Sequence, residues 1–220
     1  MTQKFGVEIE FYGLGNRPAS VASAIRIPGV LVVGENYNHQ TRDYWKVVTD
    51  GSVYDGAELV SPPLAYNAAN LAQVKSVFDK LKELNCYTNE RCGTHVHVDA
   101  TFLHNYSMQK QQHFFAFVVA AFQAHEDVFD RLVKGHRNNN SFCRSTKGKT
   151  WREVNDERYH KLNLNAFSRH GTIEFRQLQG TINSDVAIAW INLCVTFMHN
   201  TRARFESQYA LIQEAARVNT

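Results

Sequence analysis

Four short stretches of the chain carry acidic or histidine side chains, and in two of them these recur at every second residue. They are Gly6-Val7-Glu8-Ile9-Glu10-Phe11, Glu58-Leu59-Val60-Ser61-Pro62, Cys92-Gly93-Thr94-His95-Val96-His97-Val98-Asp99 and Gly171-Thr172-Ile173-Glu174-Phe175-Arg176. In three of them the intervening residues are Val, Ile or Phe, the period-2 pattern of a half-buried strand. One face would pack on a core, and the other would present Glu8, Glu10, Glu58, His95, His97, Asp99, Glu174 and Arg176. Further strands are expected over 30–33, 44–48 and 159–167, the last joined to the Glu174 strand by a turn over 168–171.

A helical period runs over 67–84, with Leu71, Val74, Val77, Phe78 and Leu81 on one face. Ser107 is the expected N-cap of a long helix reaching about residue 133, packed through Phe114, Phe115, Val118, Val119 and Phe122. A short helix is expected over 19–26, and Asn183 or Ser184 opens a final one through Ile188, Ile191, Val195 and Met198. The pattern lapses from 135 to 156, a polar, basic stretch. A connection that long inside a compact domain is a functional lid or a disordered segment, so it is the candidate mobile loop. Strands mixed with helices predict an α+β fold: a curved, mostly antiparallel sheet with helices packed on one side. No linker divides the chain, which points to a single domain over 1–220.

The composition, 44% hydrophobic and 20% charged over 220 residues, is that of a soluble globular protein. A formal charge of +3 is too small to indicate a polyanion, so no nucleic-acid partner is expected. No apolar run is long enough to span a bilayer, so no membrane is expected either. The start leads straight into a strand, without the apolar stretch of a signal peptide. Cys86, Cys92, Cys143 and Cys194 form no Cys-x-x-Cys pair. A cytoplasmic protein with reduced thiols is the expectation, and a cysteine nucleophile is not.

Each acidic strand alone has an ordinary reading as a solvated face or a cross-strand ion pair. Gathered on one sheet, these carboxylates and imidazoles would repel and lose solvation unless cations sat among them. Carboxylate oxygens suit Mg²⁺ or Mn²⁺ better than zinc. An arginine beside them suits phosphate, which its planar fork binds in two places. Together these are the parts of phosphoryl transfer from a nucleotide. The chain has no Gly-x-x-x-x-Gly-Lys-Ser/Thr loop, so a nucleotide would be held by the sheet and its metals.

The succession of the Glu8, Glu58, His95 and Glu174 segments, with Trp-Lys-Val-Val-Thr-Asp-Gly-Ser-Val (45–53) between the first two, resembles the amidoligase family. That family belongs to the carboxylate–amine ligase superfamily, which includes glutamine synthetase and glutamate–cysteine ligase. The resemblance runs from about residue 5 to about residue 200, and the Asn163-Leu164-Asn165 segment fits it too. It implies an ATP-dependent ligase whose half-barrel sheet forms a funnel for two or three Mg²⁺ ions, with helices on the outer side. It implies Glu8, Glu10, Glu58, His97 and Glu174 as metal ligands, with Asp50 either joining them or capping its own turn. Arg176 and Glu174 would be catalytic, Arg176 steadying the transferred phosphoryl group. His95, Arg176 and Lys149 would face the nucleotide, and Arg137, Arg144, Lys147, Lys149 and Arg152 could close over anionic reactants. The partners would be a carboxylate and an amine substrate. Two other readings stay open at this point: a metal-dependent hydrolase using the His95/His97 face, and a nucleic-acid-binding module.

Overall fold

The computed structural model describes residues 3–51 and 53–218. Its centre is β1 (Lys4–Phe11), in which Phe5, Val7, Ile9 and Phe11 are buried in the apolar core. β1 lies between β4 (Ala57–Val60) and β6 (Thr94–Asp99), antiparallel to both. β3 (Trp45–Val48) extends the sheet beyond β4, and β2 (Val32–Gly34) adds to β3 in parallel. On the other side β8 (Thr172–Phe175) pairs with β6, and β7 (Leu162–Asn163) with β8. The order is β2-β3-β4-β1-β6-β8-β7, an open sheet, mostly antiparallel, with β5 (Leu64–Ala65) on β1. After β4, Ser61 takes over the ladder: its Oγ accepts from Val7 N–H at 2.8 Å. Pro62 and Pro63 follow, and neither carries an N–H to continue it.

The helices expected over 19–26, 67–84 and 107–133, and the final one, all form. Asn67 caps α2 (Ala68–Glu83) and Ser107 caps α3 (Met108–Leu132) through side-chain oxygens. Asn183 Oδ1 accepts from the N–H groups of Asp185 and Val186 at the start of α6 (Ser184–Val218). α1 (Pro18–Ala24) opens with proline. Val74, Phe78, Phe114, Phe122, Ile191 and Val195 join the apolar faces of β1, β6 and β8 in one core. Phe129, Phe175 and Phe197 meet there with centroids 5.7 to 6.2 Å apart. No described helix is long and apolar enough to cross a membrane.

Two expectations need correction. The strand expected over 159–167 is only β7, because Asn163 Oδ1 turns back to Asn165 N–H and ends it. The chain then forms α5 (Ala166–His170), so β7 and β8 are joined by a helical turn rather than a tight hairpin. Gly171, at φ 67°, closes α5 in the left-handed conformation that glycine adopts without a Cβ clash.

The second concerns 135–156, which holds regular local structure where the sequence pattern lapses. Its anchor is Glu126 on α3, 1% exposed, whose carboxylate accepts from Ser145 Oγ, Thr146 Oγ1 and N–H, and Lys161 Nζ. Thr150 and Glu153 then form a capping box on α4 (Trp151–Asn155). Polar side chains grip a buried carboxylate here, so no hydrophobic period marks the order.

Candidate metal-binding active site

Strand register assembles the site. Glu10 of β1 pairs with Glu58 of β4, and Glu8 of β1 pairs with His95 of β6. His97 of β6 pairs with Glu174 of β8, and Glu174 in turn with Asn163 of β7. Side chains on one face of neighbouring strands are within reach across each such pair. They line a cavity of about 1600 Å³, together with Arg176 and the segment 37–42.

The acidic residues divide into two groups. Glu8, His97 and Glu174 can bring one ligand atom each within 4.8 Å of one another, and so can Glu10, Asp50 and Glu58. Asp50 therefore stands with the candidate ligands. Alternate residues of β1 serve the two groups, which places them side by side on the same sheet face.

Electrostatics differ between the groups. Burial would raise Glu8, but His97 and His95 outweigh it and hold the carboxyl well below its usual range. Glu174 is lowered in the same way, burial being outweighed by Arg176, His97 and His95. Burial opposes a charge on His97, yet Glu8 and Glu174 raise its pKa. Glu58 is pushed well above the usual carboxylate range, by burial first and then by Glu8, Glu10, Asp50 and Glu174. Glu10 is raised chiefly by burial, although Gly93 N–H donates to its Oε2 at 2.6 Å. The second group is thus short of positive charge.

The donor set fits divalent cations by a test internal to the protein. His97 Nδ1 contacts Thr172 Oγ1 at 2.8 Å, while the buried Nε2 has no hydrogen-bond partner among the described residues. That nitrogen lies 3.3 Å from Glu8 Oε1 and 3.9 Å from Glu174 Oε1. A lone pair facing carboxylates needs a proton or a cation between them. The oxygen-rich second group matches the ligands Mg²⁺ and Mn²⁺ prefer.

Arg176, 7% exposed, donates from Nη1 to Glu174 Oε1 at 2.5 Å. Asn163 Nδ2 donates to the other oxygen, Oε2, at 2.6 Å. His95 Nδ1 lies 3.3 Å from Glu8 Oε2 and 3.4 Å from Glu174 Oε1. Lys149 lies apart from the other expected site residues. It does not line the cavity; its carbonyl accepts from Gln123 of α3, alongside the anchor of its segment. Arg144, Lys147 and Arg152 are likewise absent from the lining, and only Arg137 of those cations reaches it.

Sequence reasoning missed Lys46, whose buried ammonium donates to Asn38 O, Asn38 Oδ1 and Gln40 O and so fixes the cavity-lining segment. Its place among Trp45, Val47 and Val48 in an expected strand was a usable signal, since a lysine buried with such neighbours needs partners. The four cysteines are free and buried. Burial pushes the Cys86 and Cys92 thiols up to about 11, so neither is a thiolate nucleophile near neutral pH.

Comparison with solved structures finds similarity to glutamine synthetase of Plasmodium falciparum, at 12% identity and a TM-score of 0.45. The match covers 86% of this chain and 50% of that one, so the chain spans about half the length of that enzyme. A search of curated proteins gives no match. The family model described as "Putative amidoligase enzyme" matches residues 1–157 and 152–198. That match takes in most of the chain, and the protein belongs to the amidoligase family.

Proposed function

We propose that the protein is an ATP- and Mg²⁺-dependent ligase that joins a carboxylate to an amine through an acyl phosphate. The observation that carries this reading is the pair of three-ligand groups on one sheet face, with Arg176 bonded to Glu174 at their edge. Residues 1–220 would act as one catalytic domain, the sheet curving as a half-barrel funnel with its helices outside. ATP and small acid substrates make the cytoplasm its natural compartment.

Glu8, His97 and Glu174 would hold one cation, and Glu10, Asp50 and Glu58 another. Bound Mg²⁺ or Mn²⁺ would screen the charge of the nucleotide phosphates. The acid's carboxylate oxygen bonds to the γ-phosphorus while the bond to the ADP oxygen breaks. The amine nitrogen then bonds to the acyl carbon, phosphate departs and the amine loses its proton. Arg176 would orient and neutralise the moving phosphoryl group with the guanidinium nitrogen not engaged by Glu174 or Phe142 O. His95, beside Glu8 and Glu174, would meet the nucleotide or the acid. Phe142 and Tyr159 line the cavity wall near Arg176 and would help keep water from the acyl phosphate. Any lid motion of 135–156 would be confined to the residues around Phe142, since Arg137 and Thr146 hold the segment on either side.

A screen of acid and amine pairs for ADP release, with and without Mg²⁺, tests the reading. Amide product together with metal-dependent ADP is the expected result. Cleavage without ATP would instead indicate a hydrolase, and no ADP release with any pair would remove the ligase assignment.

A further inference from the structure

β6 and β8 keep one register from Asp99↔Thr172 to Val96↔Phe175. The next pairing is Gly93↔Gln179, one residue further along the second strand than that register allows. Residues 176–178 therefore hold a β-bulge directly after Glu174 and Phe175. A bulge disrupts the ladder and bends the strand, which leaves backbone groups in need of other partners.

The groups in question are the consecutive carbonyls of Arg176 and Gln177, and one side chain takes both. Arg137 Nη2 donates to Arg176 O at 2.5 Å, and Nε donates to Gln177 O at 3.3 Å. Arg137 follows α3 in a short 3-10 turn and is 1% exposed. Its own carbonyl accepts from Cys143 Sγ at 3.2 Å. The guanidinium fits because residue 93 is glycine: a Cβ there would lie 3.2 Å from Arg137 Nη2 and 2.5 Å from His95 Nε2. A guanidinium buried this far is costly unless its donors are used. Here they are used on the peptide groups that carry Arg176.

We propose that Arg137 is a positioning residue for Arg176. Its planar fork closes the bulge, fixes the backbone from which the Arg176 side chain springs, and so holds Nη1 on Glu174 and Nε on Phe142 O. Lysine, a point charge, cannot span two consecutive carbonyls in that geometry. The positional claim stands on the geometry alone; its consequence for turnover rests on the ligase reading.

The test is arginine Nε–H hydrogen exchange by ¹⁵N NMR in the full-length, metal-free protein. In Arg137→Lys the Arg176 Nε–H should exchange about tenfold faster or more, the scale of one lost charge-assisted hydrogen bond. Unchanged Arg176 protection in a folded variant overturns the proposal. Should Arg137→Lys not fold, the wild type still decides. Arg176 and Arg137 Nε–H must then open together as urea is raised, and independent opening overturns the coupling. In an active enzyme, turnover of Arg137→Lys, Arg176→Lys and the double variant gives a second reading. A loss in the double variant close to that of Arg176→Lys alone supports action through Arg176, and a fully additive loss refutes it.

Discussion

Asn163 donates its amide to Oε2 of Glu174, its cross-strand partner, at 2.6 Å. With Arg176 on Oε1, both carboxylate oxygens are fixed from the protein side. Such supporting bonds orient a ligand and tune its basicity. Asn163→Ala should therefore weaken Mn²⁺ affinity by roughly ten- to hundredfold. Metal titration by calorimetry checks this, and unchanged affinity would separate Glu174 from the metal.

Glu174→Gln preserves shape and removes charge. Metal-dependent ADP release should become undetectable, while circular dichroism still shows the native fold. Ligation at near wild-type rate would remove Glu174 from the centre of the site.

Arg176→Lys keeps a positive charge but loses the fork that bridges Glu174 and Phe142 O. Turnover should fall by about a hundredfold or more, the scale of removing a preorganised donor from a developing charge. A loss confined to KM would point to ground-state binding instead.

Proton release should accompany metal binding. Glu58 and Glu10 have raised pKa values in the metal-free protein, and the charged form is the ligand. Affinity should then rise with pH through the raised Glu58 and His97 values and level off above both. Calorimetry in two buffers of different ionisation enthalpy measures the protons released. A heat independent of buffer would contradict the assignment of this group.

Glu126 makes a separate, structural contribution. Burial would raise its pKa, but bonds from Lys161, Ser145 and Thr146 outweigh burial and lower it below the ordinary 4.5. The folded state therefore binds this proton more weakly than the unfolded chain. The stabilisation is complete above 4.5 and is lost as pH falls through the lower folded value. Glu126→Gln should cost about 3 kcal/mol near neutral pH, since it leaves Lys161 with Asp130 as its remaining acid. In urea melts the gap from wild type should narrow on acidification through that window; a gap that widens would refute the assignment.

The sequence by itself determined most of the elements and which side chains share the acidic strand faces. Alternation in β1 and β6 identifies a strand face with glutamates and histidines because a strand's period is two and needs no partner to be read. The caps at Asn67, Ser107 and Asn183 are equally local, each oxygen satisfying N–H groups two or three residues on. Only the tertiary structure decided how those faces meet. Register between strands far apart in the chain put Glu10 beside Glu58 and His97 beside Glu174, deciding which of the expected ligands group together. Long-range polar contacts also decided the fate of the basic stretch. A buried Glu126 captured Thr146, and the bulge captured Arg137, while Lys149 was left outside the cavity. Partners separated by tens of residues leave no period in a sequence, because what selects them is the cost of leaving a buried charge or carbonyl unpaired.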